Sequence, residues 1–271
     1  MSILEAIVLG IVQGLTEFLP ISSTGHLRIV PAFAGWEDPG AAFTAVTQLG
    51  TMLAVLVYFR QDLWRIAVAW TASLRDPSRR GELDARLGWY LIIGTIPIGI
   101  FGLAFQDQIE DGARDLYLIA IALIALGLLL LLSERVSKRD RDIRSVGLRD
   151  AVAIGFAQAA ALVPGVSRSG ATITAGLFLG FERAAAARFS FLLSVPAVVL
   201  SGLFQLPDAV SGHDTSVAGV AVATLLAFVS GYASIAFLLR FLVTHSTAVF
   251  VVYRVALGTL VLALVGSGAI S

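Results

Sequence analysis

A chain of 271 residues that is 57% apolar, only 14% charged and has a mean hydropathy of +0.87 does not describe a soluble globular domain. Its 19 basic and 19 acidic residues cancel, so no global field points to nucleic acid, and the positions of the charges carry the information instead. The absence of cysteine excludes disulfides, thiolate metal sites and cysteine nucleophiles together. An integral membrane protein of α-helices remains.

The first apolar segment, 3–15, gives only roughly 20 Å of helix, short of the ~30 Å of hydrocarbon a span must cross. It lacks a basic n-region and an A-x-A site, so a cleaved signal peptide is not expected. It runs into Gln13-Gly14-Leu15-Thr16-Glu17-Phe18-Leu19-Pro20-Ile21-Ser22-Ser23-Thr24-Gly25-His26, a polar break in greasy sequence. Pro20 cannot continue the helical ladder, and the serines after it are N-cap types, which predicts a helix restarting at about residue 23. This reads as a re-entrant hairpin. Apolar runs at about 41–59, 87–105 and 116–133 follow, each near the roughly 20 residues of a spanning helix.

A second short segment, 151–162, ends in another break, Gln158-Ala159-Ala160-Ala161-Leu162-Val163-Pro164-Gly165-Val166-Ser167-Arg168-Ser169-Gly170-Ala171-Thr172. Here the helix is predicted to restart at about 168, making a second hairpin. Spans at about 184–206, 217–239 and 247–266 complete the chain. Gln13 and Gln158, Ser22 and Ser167, and Gly25 and Gly170 are all related by one shift of 145. The expected architecture is therefore a single all-α membrane domain over 1–271, with six transmembrane helices and two re-entrant helical hairpins. Its two repeats, about 1–133 and 148–268, have inverted topology.

Charge orients this expectation. Arginines cluster at 60–86 and basic residues at 135–149, which read as solvated cytoplasmic connectors. The linker after the second span is acidic (Asp107, Glu110, Asp111 and Asp115), and residues 207–215 carry no Lys or Arg, so both belong outside together with both termini. With three spans between them, the hairpins enter from opposite faces. Irregular backbone at membrane depth must be buried in protein or line a wet cavity, so the two tips should face each other.

Each restarted helix presents N–H groups and the positive end of its dipole at membrane depth, and two such ends make an anion site. Arg168 adds a guanidinium whose planar fork matches phosphate, with the hydroxyls of Ser167, Ser169 and Thr172 around it. The alternative is a structural ion pair with Glu17. Glu17 lies one turn after Gln13, so the two project from one helix face and could hold Mg²⁺ or Ca²⁺ against substrate phosphates. Metal ligand, partner of Arg168 and general base all remain open for Glu17, and a helix–helix hydrogen bond remains open for Gln13. Ser23 and His26, three residues apart, could form a nucleophile and base. The alternative for Ser23 is an N-cap. Arg254 in the last span has no motif around it, and His213 and His245 read as surface residues.

Together, Gln13-Gly-Leu-Thr-Glu17, Ser22-Ser-Thr-Gly-His26 and Pro164-Gly-Val-Ser-Arg-Ser-Gly-Ala-Thr172 closely resemble the motifs of the undecaprenyl-diphosphate phosphatases of the bacitracin-resistance type, across essentially the whole chain. The resemblance implies dephosphorylation of the C55 isoprenyl diphosphate carrier to its monophosphate, at the outer face of a bacterial inner membrane. It carries over Glu17, Ser23, His26, Arg168 and Thr172 as the catalytic set, supported at the substrate by Gln13, Ser22, Ser167, Ser169, Gly165 and Gly170, with a divalent cation on Glu17 and Gln13. The acidic motif stands here in its Gln form, so Glu17 is its only carboxylate. No nucleic acid is expected as a partner; the lipid bilayer is, and the oligomeric state stays open, a homodimer being one outcome. The competing reading is a secondary transporter or flippase for an anion or lipid phosphate, which shares the inverted repeat but has no need of a Ser-His pair.

Overall fold

The computed structural model describes residues 1–106, 108, 114–211 and 217–270, and among them the secondary structure is helical. Asp107, Glu110 and Asp111 of the acidic linker, and His213, lie outside the described residues. The helices are α1 (Ile3–Phe18), α2 (Ser23–Ala34), α3 (Gly40–Tyr58), α4 (Arg60–Arg75), α5 (Leu83–Ala104), α6 (Leu116–Val136), α7 (Leu148–Ala160), α8 (Arg168–Phe178), α9 (Arg183–Ser211), α10 (Val217–Thr244) and α11 (Ala248–Gly266). Five of them are long and apolar enough to cross a membrane, within α5, α6, α9, α10 and α11; a sixth crossing is reached when α3 and α4, bent by 73°, count as one span. The chain is an all-α, multi-pass membrane protein.

The two hairpins are α1–α2 and α7–α8. Their breaks have the same backbone: Ser22 (φ 75°, ψ 103°) and Ser167 (φ 73°, ψ 119°) are N-caps on the left-handed side. Each accepts a hydrogen bond on its hydroxyl, from the N–H of Gly25 (3.3 Å) or of Gly170 (3.1 Å). That conformation costs a non-glycine residue about 1–3 kcal/mol, and each copy offsets part of this with a cap bond worth about 1 kcal/mol.

Contacts along the helices give their directions. Ser230 and Ser234 of α10 donate to the carbonyls of Ile11 (3.3 Å) and Leu15 (3.0 Å), so α1 runs parallel to α10. In the second hairpin, Gly155 of α7 lies on Gly94 of α5, and Gly102 approaches Leu162 further along, so α7 runs parallel to α5. Helix α6 runs antiparallel to α11, with Glu134 on Thr247 (2.8 Å) at one end and Ala120 by Gly258 towards the other. Since α10 runs into α11 at the Glu134 end while α7 starts there, α1 and α7 enter the bundle from opposite ends.

That end is tied by charge. Glu134 accepts from Arg139 (2.8 Å) and from Arg183 Nε (2.6 Å), and the Arg86 guanidinium donates to the Val146 carbonyl (2.7 Å). The segments at 60–86 and 134–149 therefore share one end, as their basic residues predict, but neither is a plain solvated connector. Residues 60–75 form α4, which buries Ile66, Ala69 and Ser73. Trp70 of α4 sets its ring edge on Trp89 of α5, centroids 5.7 Å apart, and Trp89 Nε1 donates to Ser73 Oγ (3.3 Å). Of the charges that suggest a connector, Arg60, Arg65 and Arg75 are exposed, as is Trp64, whereas Asp62 shares the buried face and accepts from Arg188 (2.7 Å). In the second segment, Arg141 forks onto Asp150 (3.1 and 2.6 Å) and lies 4.3 Å over the Phe181 ring, and the Asp150 hydrogen bonds hold its guanidinium above its ordinary pKa.

Hairpin and neighbour approach closely enough that only glycine fits. A Cβ on Gly155 would sit 2.5 Å from the Gly94 carbonyl oxygen, and one on Gly10 would sit 2.4 Å from that of Ala223. Gly155→Ala is expected to lower stability by about 1–3 kcal/mol through overpacking, whereas Gly99→Ala, with nothing within 4 Å, stays within about 0.5 kcal/mol of wild type. Denaturant unfolding of the two variants in one detergent checks the contrast.

Candidate active site

The two breaks meet at Glu17, in the last turn of α1. Its Oε2 accepts from the Ser23 hydroxyl at 2.6 Å and from Gln13 Nε2 at 3.2 Å, while its Oε1 accepts from Arg168 Nη2 across the hairpin boundary. Side-chain exposure is 9% for Glu17 and 16% for Arg168, so the pair is shielded yet reachable. Ser169 Oγ donates to the Leu19 carbonyl (3.0 Å), tying the start of α8 to the end of α1. The first N–H groups of α2 and α8 have no intrahelical carbonyl available, and both helices begin beside the same carboxylate. A guanidinium, two helix N-termini and a hydroxyl gather around one carboxylate, and the first two are group types that attract anions.

Among the expected site residues, Glu17, Ser23 and Arg168 are neither fully buried nor freely exposed. The others turn inward. Thr172 directs its hydroxyl to the Arg168 carbonyl (2.7 Å) and pairs with Ser190 Oγ (2.6 Å), so it braces the first turn of α8. Ser22 and Ser167 spend their oxygens as caps, and Ser167 also pairs with Ser169 (3.1 Å). Gly165, at φ 87°, lies with its Cα edge on the backbone of Ile119, and Gly170 sits under Leu126 and the Ser167 side chain. Packing at both positions, and backbone geometry at Gly165, require glycine.

The expected Ser23–His26 pair does not form. Ser23 reaches Glu17, whereas His26 is 5% exposed and bonds the Ser22 carbonyl through Nδ1 (2.6 Å) and the Tyr253 hydroxyl through Nε2 (2.6 Å). Of the openings left for Glu17, the structure realises two contacts at once, partner of Arg168 and acceptor from Ser23. Gln13 is 1% exposed, and its Oε1 is buried with no hydrogen-bond partner. An orphaned amide oxygen next to a carboxylate fits one side of a hard-cation site, with the remaining ligands left to substrate oxygens. No group of three or more His, Asp or Glu able to hold a metal occurs among the described residues, so these alone offer no closed metal centre.

Arg254 is the residue that the sequence motifs do not reveal. Fully buried, it donates to the carbonyls of Pro20 (3.0 Å) in the first break and of Gly165 (2.9 Å) and Val166 (3.2 Å) in the second. It also reaches Leu123 (3.0 Å) and Ala122 (3.2 Å) on α6. One guanidinium thus satisfies carbonyls that both broken helices release. The signal available in sequence was a lone arginine inside an apolar span, which at that depth has to have partners. Arg254→Met would leave several buried carbonyls unpaired at about 1–3 kcal/mol each, and the expected outcome is loss of at least about 3 kcal/mol of stability, or failure to fold. Unfolding measurements in detergent check this, with Arg168→Met, whose guanidinium is partly exposed, expected to lose less.

The chain matches a family model described as "Bacitracin resistance protein BacA" over residues 6–260. It is 54% identical over 269 residues to the undecaprenyl-diphosphatase of Nocardioides sp. strain JS614, covering 99% of this chain and 98% of that protein. It is 55% identical over 275 residues to that of Mycolicibacterium smegmatis, covering 100% and 99%. A third relative, the undecaprenyl-diphosphatase of Thermobifida fusca, is 54% identical over 271 residues, covering 100% and 93%. With its two breaks and nearly its whole length matched, the chain belongs to the bacitracin resistance protein BacA family.

Proposed function

We propose that this protein hydrolyses undecaprenyl diphosphate to undecaprenyl phosphate and phosphate, recycling the lipid that carries cell-wall precursors and conferring bacitracin resistance. One observation carries the reading: a single carboxylate, Glu17, bonds the Ser23 hydroxyl and the Arg168 guanidinium, so nucleophile and phosphate clamp converge from two hairpins. The relatives' name supplies the substrate, and the lipid-exposed apolar faces of the bundle suit its isoprenyl chain.

Arg168 uses Nη2 for Glu17, and the rest of its five-donor fork is matched to phosphate oxygens. The N-termini of α2 and α8 add positive potential to the same place. Ser23 Oγ attacks the terminal phosphorus, the bridging P–O bond breaks, and its electrons leave on the lipid monophosphate. The Ser23 proton passes to Glu17 Oε2, already 2.6 Å away; water then attacks the phosphoserine phosphorus, Glu17 returns that proton to the departing Ser23 oxygen, and the water's protons leave with the phosphate. His26 takes no part in activating Ser23 in this scheme, and Thr172 acts through the backbone of Arg168. A Mg²⁺ or Ca²⁺ held by Gln13 and Glu17 would supply charge neutralisation on the diphosphate. Phosphoryl transfer asks mainly for positioning and charge stabilisation, so the electrostatic residues should weigh most. The positive-inside rule supports a cytoplasmic Glu134 end in a bacterial inner membrane with both termini outside, and the family resemblance supports an active site open to that outer face.

Purified protein in detergent, given a C15 or C55 isoprenyl diphosphate, is expected to release phosphate, with Glu17→Gln, Ser23→Ala and Arg168→Ala each losing at least about a hundredfold. A chelator should abolish release and excess Mg²⁺ or Ca²⁺ restore it. A phosphoserine trapped at position 23 supports the covalent route, whereas retention of activity in Ser23→Ala puts water in its place. No phosphate release by wild type, together with movement of substrate across liposomes, would sink the phosphatase reading in favour of a transporter.

A further inference from the structure

His26 contacts leave little freedom in how its imidazole is protonated. A backbone carbonyl only accepts, so the 2.6 Å contact between Nδ1 and the Ser22 oxygen requires a hydrogen on Nδ1. Nε2 is then the one ring nitrogen that can take up or release a proton, and it lies 2.6 Å from the Tyr253 hydroxyl. The two rings stack, with centroids 5.6 Å apart and planes 9° apart. His26 is 5% exposed and Tyr253, on α11, is 43% exposed, so the pair runs from the buried start of α2 to the outer flank of the bundle. The carbonyl at one end belongs to the strained N-cap of the first break, and the tyrosine is the immediate neighbour of Arg254, which pins that break through Pro20. Hence the ring is held by the same two elements that shape the hairpin tip.

We propose that Tyr253 is a positioning residue for the reaction: its hydroxyl and ring hold the His26 imidazole by Nε2, the exchangeable nitrogen, while the Ser22 carbonyl keeps Nδ1 protonated. With Nδ1 committed to the Ser22 carbonyl, any proton that His26 passes to or takes from a phosphate oxygen moves through Nε2. A histidine in the first turn of α2, expected in the catalytic set, and a tyrosine in the last span that no sequence motif marks become one unit. This rests on the phosphatase reading for its kinetic arm alone; the protonation pattern is a property of the folded protein whatever it catalyses.

The test uses full-length protein in detergent with ¹⁵N-labelled histidine, and with His213→Gln and His245→Gln so that His26 is the one histidine left. Long-range ¹H–¹⁵N spectra are expected to show Nδ1 protonated and Nε2 shifted as a hydrogen-bonded nitrogen. In Tyr253→Phe, which keeps the stacked ring, the Nε2 resonance should move while Nδ1 stays protonated, and kcat should fall about tenfold with KM within about twofold, a fraction of what general acid–base groups contribute. A dominant Nε2-protonated tautomer in the wild type would overturn the proposal without any variant. So would unchanged Nε2 shift and unchanged kcat in Tyr253→Phe. If the wild type releases no phosphate at all, the phosphatase reading fails, and the spectra still decide between these outcomes.

Discussion

Broken helices inside a membrane leave carbonyls with no water to take them, and the fold depends on how this is solved. Arg254 solves it for both breaks at once. Its donors reach Pro20 in one hairpin and Gly165 and Val166 in the other, besides two carbonyls of α6. An arginine suits the position because its planar fork addresses several acceptors in fixed directions and stays charged in burial where a lysine would neutralise more readily. The guanidinium is buried to satisfy backbone, and the ion pair that faces the site is a different one.

That second pair, Glu17 with Arg168, joins the hairpins on the side where chemistry is possible. Two copies of one backbone device converge, the serine-capped breaks at Ser22 and Ser167, but their side chains diverge. The first copy brings Glu17 and Ser23, the second Arg168. Unlike residues on two similar breaks make one cluster rather than two, and neither hairpin alone contains both the Ser23 hydroxyl and the Arg168 guanidinium. The packing partners are exchanged in the same spirit: α1 lies on α10 from the second half of the chain, and α7 lies on α5 from the first, each through a glycine in backbone contact.

Hydroxyls illustrate how little residue type alone says about role. Ser22, Ser23, Ser167, Ser169 and Thr172 are chemically similar, yet Ser23 is the one bonded to the carboxylate. Ser22 and Ser167 cap helices, Ser169 ties α8 to α1, and Thr172 braces α8 against Ser190. The capping roles follow from position after a proline and could be read locally. Which hydroxyl faces Glu17 depends on the rotation of α2 about its axis, and packing sets that rotation.

Composition and hydropathy fixed the class, because apolar segments of spanning length and short segments ending in Pro and Ser obey local rules of backbone hydrogen bonding and helix length. The paired breaks, the charge clusters at one end and the meeting of Gln13 with Glu17 one turn apart are likewise near-neighbour properties, carried by the chain itself. The helix at 60–75 was missed because an amphipathic helix with a charged face has the composition of a connector until its apolar residues find α5. Contacts between distant segments were needed for the rest. Arg168 on Glu17, Tyr253 on His26 and Arg254 on the first break join segments 151 to 234 positions apart, and Arg254 reaches the second break across 88 and 89 positions; such contacts exist only once the helices have packed. The folded arrangement therefore decided that Ser23 answers to Glu17 rather than to His26, since direction in space, and not spacing along a helix, chooses a side chain's partner.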